Sequence, residues 1–377
     1  MTILSDRPDD DTIEVSLFGP GYGESCLIHF TGDDWMIVDS CKDQRSGQNP
    51  ALAYLDRIGV VAEHAVKLVV ASHAHDDHIA GLADIVEKCA SADFVCSMAL
   101  TRPEFFALLE TDEMMSDVMR QSSYKEFRAI NDILTARANG RTSWPAYTWA
   151  VANRPIYLRQ SVAGISSVRV TALSPSDEAV TRALMYFAGL KPVAGSEPRR
   201  VATADPNTLT AALWVEIGDS RVLLGGDLLV GPGQGCGWNA IMNSAFRPQE
   251  QADIFKVPHH GAPNAHHSGV WTDMVVGTPI AILTPFRRLK HPRPTQADRD
   301  RICGLTYRAY ITAQPKRPSQ PAAVRRTAAQ LSRTARDVWE PEGSAGHVRA
   351  RLTPGSEDWT VDLADPATPL CPRTRRS

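Results

Sequence analysis

Ser72-His73-Ala74-His75-Asp76-Asp77-His78-Ile79-Ala80-Gly81 places three histidines and two aspartates within positions 73–78. Histidine is scarce, with 11 in all 377 residues, so a merely solvated loop is a poor account of the cluster. Immediately upstream, Val66-Lys67-Leu68-Val69-Val70-Ala71 is short, apolar and rich in β-branched residues, the pattern of a buried strand. Downstream, apolar residues recur at helical spacing from Ile79 to Cys89. The cluster is therefore expected on a strand-to-helix loop, where a rigid scaffold can hold side chains for chemistry. Imidazole nitrogens together with carboxylate oxygens are ligands of zinc-type or manganese-type metals.

Outward from this stretch, the same arrangement recurs. Polar residues stand at the ends of apolar strands at Asp39, after Trp35 to Val38; at Asp227, after the hairpin of Leu209 to Ile217 and Arg221 to Gly225; and at His259-His260, after Asp253 to Val257. In a sandwich the strand ends gather along one edge, which would bring these groups together. The chain before the cluster reads as a meander of strands at 13–18, 25–30 and 35–38, followed by a helix at 51–59. The glycine turn Gly19-Pro20-Gly21-Tyr22-Gly23-Glu24 leads into a strand and not a helix, so it is read as structural and not as a phosphate cradle. Later segments read as strands at 94–98, 156–158, 168–173, 281–284, 308–312, 347–352 and 359–363, with helices at 178–190 and 296–304. A charged helical stretch spans about 103–139, a Pro/Gly/Arg/Ser loop 191–207 and a low-complexity Pro/Arg/Ala segment 314–338.

Composition sets the outer limits. Apolar residues make up 43% and charged residues 22%, a globular profile. No apolar run approaches the roughly 18–20 residues of a membrane span, and the polar, acidic start is neither a signal nor a transit peptide, so a cytoplasmic protein without membrane contact is expected. Seven scattered cysteines with no CxxC pair favour free thiols over a disulfide framework or a cysteine zinc site. From Arg287 onward there are 18 Lys/Arg against 9 Asp/Glu, whereas the first 286 residues hold 22 against 34. The basic C-terminal part suits either a polyanion or a solvated tail. No GxSxG, GxGxxG or Walker sequence is present.

The pattern HxHxDH with a distant Asp and His resembles the metallo-β-lactamase superfamily. Within it, the chain is most similar to the hydrolase domains of bacterial DNA-uptake (competence) channel proteins and their free-standing relatives. Gly21-Tyr22-Gly23-Glu24-Ser25 matches a GxGxS-type opening, and Ile37-Val38-Asp39-Ser40 an "LIDxG"-like strand. Asn207-Thr208-Leu209 with Gly225-Gly226-Asp227 matches an asparagine-led strand before "GD". Phe255-Lys256-Val257-Pro258-His259-His260-Gly261-Ala262 matches "LKVxHHGS", and Lys290-His291-Pro292 echoes a late "GHP".

That resemblance implies an α/β fold, the four-layer αββα sandwich, over residues 13–312 with a helical insertion at about 103–139; residues 313–377 add the Pro/Arg-rich segment, the last strands and a basic tail. It implies two divalent metal ions, Zn²⁺ or Mn²⁺. His73 and His75 would hold one, Asp77 and His78 the other, and Asp227 would bridge them. His259 would complete the second site, with His260 as the alternative that the doubled histidine leaves open. Asp39 would orient a ligand imidazole, and Asp77 and Asp227 would carry the catalytic roles. His266, His267 and His291 are further candidates for metal or substrate contact. Many superfamily members carry another histidine between the central motif and the bridging aspartate. This chain has none between His78 and His259, which leaves the first metal with His73, His75, Asp227 and water. The expected activity is hydrolysis by a metal-activated water, on phosphodiester bonds of nucleic acid or nucleotides. The alternatives are a lactone, ester or thioester substrate, or a non-catalytic binding or regulatory protein on the same fold. Free-standing members of the branch work beside other gene products, which implies protein partners encoded nearby.

Overall fold

The computed structural model describes residues 3–20, 23–102, 104–107, 109, 122–138, 147–162, 164–189, 206–287, 292–315, 330, 344–356 and 358–372. Within them, the strand before the histidine cluster is central. It runs from Val66 to Ala71, as the sequence predicts, and splits its side chains between two apolar layers. Leu68 and Val70 point into the core between two sheets, while Val69 and Ala71 point into a second core beneath helices. Burial on both faces explains why Leu68 to Ala71 is an unbroken apolar run, with the half-buried Lys67 only at its start. The leucine and valine side chains each contribute about 1.5–3 kcal/mol relative to exposure.

The first sheet has eight strands in the order β15-β14-β1-β2-β3-β4-β5-β6. They are β1 (Ile13–Gly19), β2 (Ser25–His29), β3 (Trp35–Val38), β4 (Val66–Ala71), β5 (Asp93–Ser97), β6 (Tyr147–Ala150), β14 (Gly346–Leu352) and β15 (Thr360–Ala364). The second runs β16-β13-β12-β11-β10-β9-β8-β7. Its members are β7 (Arg154–Arg159), β8 (Val168–Ala172), β9 (Leu213–Ile217), β10 (Ser220–Leu224), β11 (Ala252–Lys256), β12 (Val275–Leu283), β13 (Ala309–Ile311) and β16 (Thr368–Pro369). Both sheets are mixed. Strands β3 to β6 are parallel, as are β10 to β13, and the outer strands pair antiparallel.

Helices cover both outer faces. On the first sheet lie α1 (Pro50–Arg57), α2 (Ala62–Ala65), α3 (Asp76–Ile79), α4 (Leu82–Lys88), α5 (Ser122–Ala138) and α6 (Asp177–Gly189); on the second lie α7 (Gly237–Asn243) and α8 (Gln296–Leu305). Helix α1 starts on an Asn49 cap and Pro50, and α8 on a Thr295/Asp298 capping box. The result is the αββα sandwich that the resemblance implies, with the late strands β14 and β15 built into the first sheet beside β1.

Three features differ from the sequence reading. The helix expected at 79–89 is two: a turn at Asp76–Ile79, then Gly81 in the left-handed region (φ 79°), then α4. Asp77 and His78 therefore sit on helical backbone and not on a free loop. Within the helical stretch expected at 103–139, α5 carries Phe127, Ile130 and Leu134 onto Leu82 and Ile85 of α4; residues 103, 108, 110–121 and 139 lie outside the described residues. Finally, the expectation of free thiols throughout is corrected. Cys303 of α8 is joined to Cys371, with Cα atoms 5.5 Å apart, while Cys26, Cys41, Cys89, Cys96 and Cys236 are free and buried. The two partners lie 68 residues apart and meet because β16 docks on β13, a contact that cysteine spacing does not encode. Most of the loop at 191–207 and of the segment at 314–338, and the basic tail from 373, lie outside the described residues. No helix among the described residues is long and apolar enough to cross a membrane.

Candidate metal centre

Parallel pairing puts the carboxyl ends of neighbouring strands on one side, where binding sites of open α/β sheets collect. Strand β3 delivers Asp39 and β4 delivers residues 72–78; β10 delivers Gly225-Gly226-Asp227, β11 delivers His259-His260, and β12 delivers Thr284. The two sheets are joined at this edge by the Ala211 N–H, which donates to the Ser72 carbonyl at 2.8 Å. Gly226 is held in a left-handed conformation (φ 49°), and a Cβ there would lie 2.5 Å from Thr210 Cγ2, so glycine is required where the chain turns to present Asp227.

Ligand atoms of Asp77, His78, Asp227 and His260 all lie within 4.8 Å of one another, and all four residues are buried. His78 Nε2 is 3.3 Å from Asp227 Oδ2 and 3.8 Å from Asp77 Oδ2; His260 Nε2 is 3.5 Å and 3.4 Å from the same two oxygens. Yet both Nε2 atoms lack a hydrogen-bond partner. Two orphaned, buried imidazole nitrogens facing two shared carboxylates make poor hydrogen-bond geometry and a good cation cradle.

The far sides of the rings fix which nitrogen bears the lone pair. His78 Nδ1 donates to Asp39 Oδ2 at 2.7 Å, and His260 Nδ1 faces the Thr284 carbonyl at 3.2 Å. Ser72 Oγ donates to Asp39 Oδ2 at 2.6 Å, so it accepts from His73 Nδ1 at 2.9 Å. With their Nδ1 protons thus engaged, all three rings turn an Nε2 lone pair inward. Asp39 Oδ1 also accepts the Ser72 N–H at 2.7 Å, so both carboxylate oxygens are engaged. Asp39, His73 and His78 form a second close group of metal-type atoms, in which both Asp39 oxygens already orient neighbours. Its own backbone is left-handed (φ 61°), an uncommon conformation for aspartate that the surrounding bonds sustain. Replacing it with asparagine is expected to weaken metal binding by roughly 10–100-fold, the usual cost of an outer partner, as read by titrating metal-free protein.

Charge balance points the same way. Four buried carboxylates, Glu24, Asp39, Asp77 and Asp227, surround His78, with Lys256 as the buried ammonium beside them. Burial alone would lower the pKa of His78, but the Asp227, Asp77, Glu24 and Asp39 charges overturn this and raise it well above the usual imidazole value. His260 is raised in the same way against its burial, chiefly by Asp227. For His73, burial together with the neighbouring His78 and His75 moves the pKa well below normal, which favours the neutral ligand form. A field that attracts protons this strongly also attracts a divalent cation, and the donor set fits one.

Of the doubled histidine, the second member is the one whose ring joins the close group of ligand atoms. His259, the first choice of the sequence reading, turns away from the cluster: its Nδ1 lies 3.1 Å from Asn264 Oδ1, and the ring lines the cleft. His260 takes the place by Asp77. Both residues are left-handed (φ 48° and 56°), and their ring centroids lie 6.1 Å apart. The His259 N–H is held by Gly226 O and Asp227 Oδ1, both at 3.1 Å.

His75, half-buried, sets its Nδ1 3.2 Å from His73 Nε2, but neither close ligand group contains it. His266 packs near Trp271, and the His267 Nδ1 accepts the Gly269 N–H; neither is among the residues lining the cleft. His291 lies outside the described residues. The sequence reading missed Glu24, Ser72, Lys256 and Thr284. A lysine inside the apolar run Ile254-Phe255-Lys256-Val257 was the available signal. Lys256 Nζ donates to Gly226 O at 2.8 Å and to Glu24 Oε1, and lies 3.7 Å from Asp227 Oδ1. Glu24 Oε2 in turn accepts Thr284 Oγ1 at 2.7 Å, so the turn read as structural also braces the centre.

Beside the cluster opens a cleft of about 600 Å³, lined by His75, Asp76, Asp77, Asp227, His259, His260, Phe286 and Arg293, among others. Ser123, at the start of α5, reaches its rim, and Glu126 one turn on accepts the Gly81 and Ala83 N–H groups.

Neither any family model nor any curated protein matches the chain. Among solved structures, AidC, a dizinc quorum-quenching lactonase in complex with a product, aligns over 55% of this chain and 56% of its own, with 13% identity and a TM-score of 0.29. The aligned part thus spans little more than half of that enzyme, and a superposition so partial bears on neither the site nor the reaction.

Proposed function

We propose that the chain is a divalent-metal-dependent hydrolase, with Zn²⁺ or Mn²⁺ at a two-ion centre, acting on phosphodiester bonds of nucleic acid or nucleotides. The observation that carries this reading is the pair of unpartnered Nε2 atoms of His78 and His260 facing Asp77 and Asp227 at the foot of the cleft. Asp77, His78, Asp227 and His260 would hold one ion; His73 and His75, with Asp227 shared, would hold the other. When bound, such ions acidify water and stabilise entering and leaving oxygens. The rest falls to the protein. Asp39 and Thr284 lock the imidazoles, Lys256 offsets the charge on Asp227, and the Asp77 carboxylate is the group to take a proton from the attacking water. The sequence motifs favour a phosphodiester.

A lactone, ester or thioester substrate is the second reading. It is favoured by the cleft itself, where Asp76, Asp77 and Asp227 outnumber Arg293 among the described residues, a balance that opposes a polyanion.

Purified protein loaded with Zn²⁺ or Mn²⁺ is expected to cleave bis(4-nitrophenyl) phosphate and at least one of DNA, RNA or a cyclic nucleotide. Chelation or Asp227→Asn should lower kcat/KM by about a hundredfold or more, equivalent to losing at least about 2.7 kcal/mol of transition-state stabilisation. Equal turnover by wild type and His73→Ala protein would reject a reaction at this centre. Activity on neutral esters alone, insensitive to salt, would select the second reading.

A further inference from the structure

Arg293 lines the same cleft as the ligand cluster, and its position is fixed on several sides. Its backbone exchanges two hydrogen bonds with Phe286, at 3.0 and 2.9 Å, and the Phe286 ring packs 5.2 Å from that of His260. Its Nη1 donates to Asp298 Oδ2 at 2.6 Å. Asp298 is only 2% exposed and also accepts the Thr295 N–H, the Thr295 hydroxyl and Arg301 Nη1. Arg301 reaches back to the carbonyl of Gly261, next to His260. One buried carboxylate thus anchors two guanidinium groups, which leaves an excess positive charge at the cleft wall. Arg293 keeps a side-chain exposure of 29% and is the only Lys or Arg among the described residues lining the cleft.

We propose that Arg293 is the substrate-selecting residue of this cleft, receiving one anionic group, a phosphate or a carboxylate, and that Asp298 is its positioning residue. The inference rests on the hydrolase reading for the reaction but not for the binding. A guanidinium with one corner tied back keeps donors free for a planar or tetrahedral oxyanion, and the buried anchor removes most of the ordering cost. Among several carboxylates, a single such group has room for one negative charge, which within the phosphodiester reading favours a nucleotide-sized diester over a long nucleic acid.

The test compares wild type with Arg293→Ala, Arg293→Lys and Asp298→Asn. Bis(4-nitrophenyl) phosphate serves as the anionic probe and 4-nitrophenyl acetate as the neutral one. In Arg293→Ala, kcat/KM for the anionic probe should fall at least tenfold further than for the neutral probe, since a charged hydrogen bond is lost. Arg293→Lys should recover part of this, because the charge stays and the fork goes. Asp298→Asn should raise KM for the anion with little change in kcat. In parallel, inorganic phosphate and acetate are titrated calorimetrically into metal-free and metal-loaded protein. Binding of one of them should weaken at least tenfold in Arg293→Ala, and which one does so separates a phosphate seat from a carboxylate seat. Anion binding to metal-free protein without turnover of either probe would remove the hydrolase reading and leave the anion seat standing. Equal losses on both probes, or unchanged anion binding in Arg293→Ala of wild-type melting temperature, would overturn the proposal.

Discussion

His260→Ala protein is expected to lose metal affinity by more than about a hundredfold, whereas His259→Ala should lose less than about tenfold. The bound is set by the roughly 10–100-fold cost of removing even an outer partner, which loss of a ligand should exceed. His260 Nε2 sits within reach of both Asp77 and Asp227, with its other nitrogen braced on Thr284. His259 is tied to Asn264 and faces the cleft. Calorimetric titration of Zn²⁺ and Mn²⁺ into metal-free variants reads the difference directly. The reverse order would mean that the left-handed pair is turned the other way around when an ion is present.

Lys256→Met is expected to cost about 3–5 kcal/mol of folding stability, the usual result of stripping one partner from a buried ion pair. Lys256 is 2% exposed and Glu24 3%, and the carboxylate left behind would stay buried near His78 without its ammonium partner. The double variant with Glu24→Gln should be more stable than Lys256→Met alone, because the stranded charge is gone while Thr284 keeps an acceptor. Urea denaturation at fixed metal concentration measures both. Wild-type stability in Lys256→Met would show that the pair is not ionised in the folded protein.

Sequence and structure agree best where a local pattern decides the outcome. Strand β4 matches its predicted span, because an apolar β-branched run buried on both faces has few alternatives. The recurring strand-end polar residues were visible in order, and parallel strands make them converge. Register against a distant partner was not visible. Nothing local distinguishes His259 from His260; the choice depends on two left-handed residues stabilised by Gly226 and Asp227 from another strand. Glu24 looked like part of a turn, since its partners Lys256 and Thr284 lie more than two hundred residues away. The Cys303–Cys371 link was hidden for the same reason.

The place of β1 has a consequence for how the chain matures. Strand β1 is not an edge: β2 covers one side and β14 the other, with all seven of its residues in register from Ile13 opposite Leu352 to Gly19 opposite Gly346. The two strands are separated by roughly three hundred residues. At about 5–20 residues per second, a ribosome would leave that flank of β1 without its partner for roughly a quarter of a minute to a minute. A nascent chain with an open, apolar strand flank is a template for pairing with its neighbours on a polysome. The first sheet, and with it the platform for the histidine cluster, is therefore finished only late in synthesis, which makes early release or a stalled C-terminal stretch a route to aggregation.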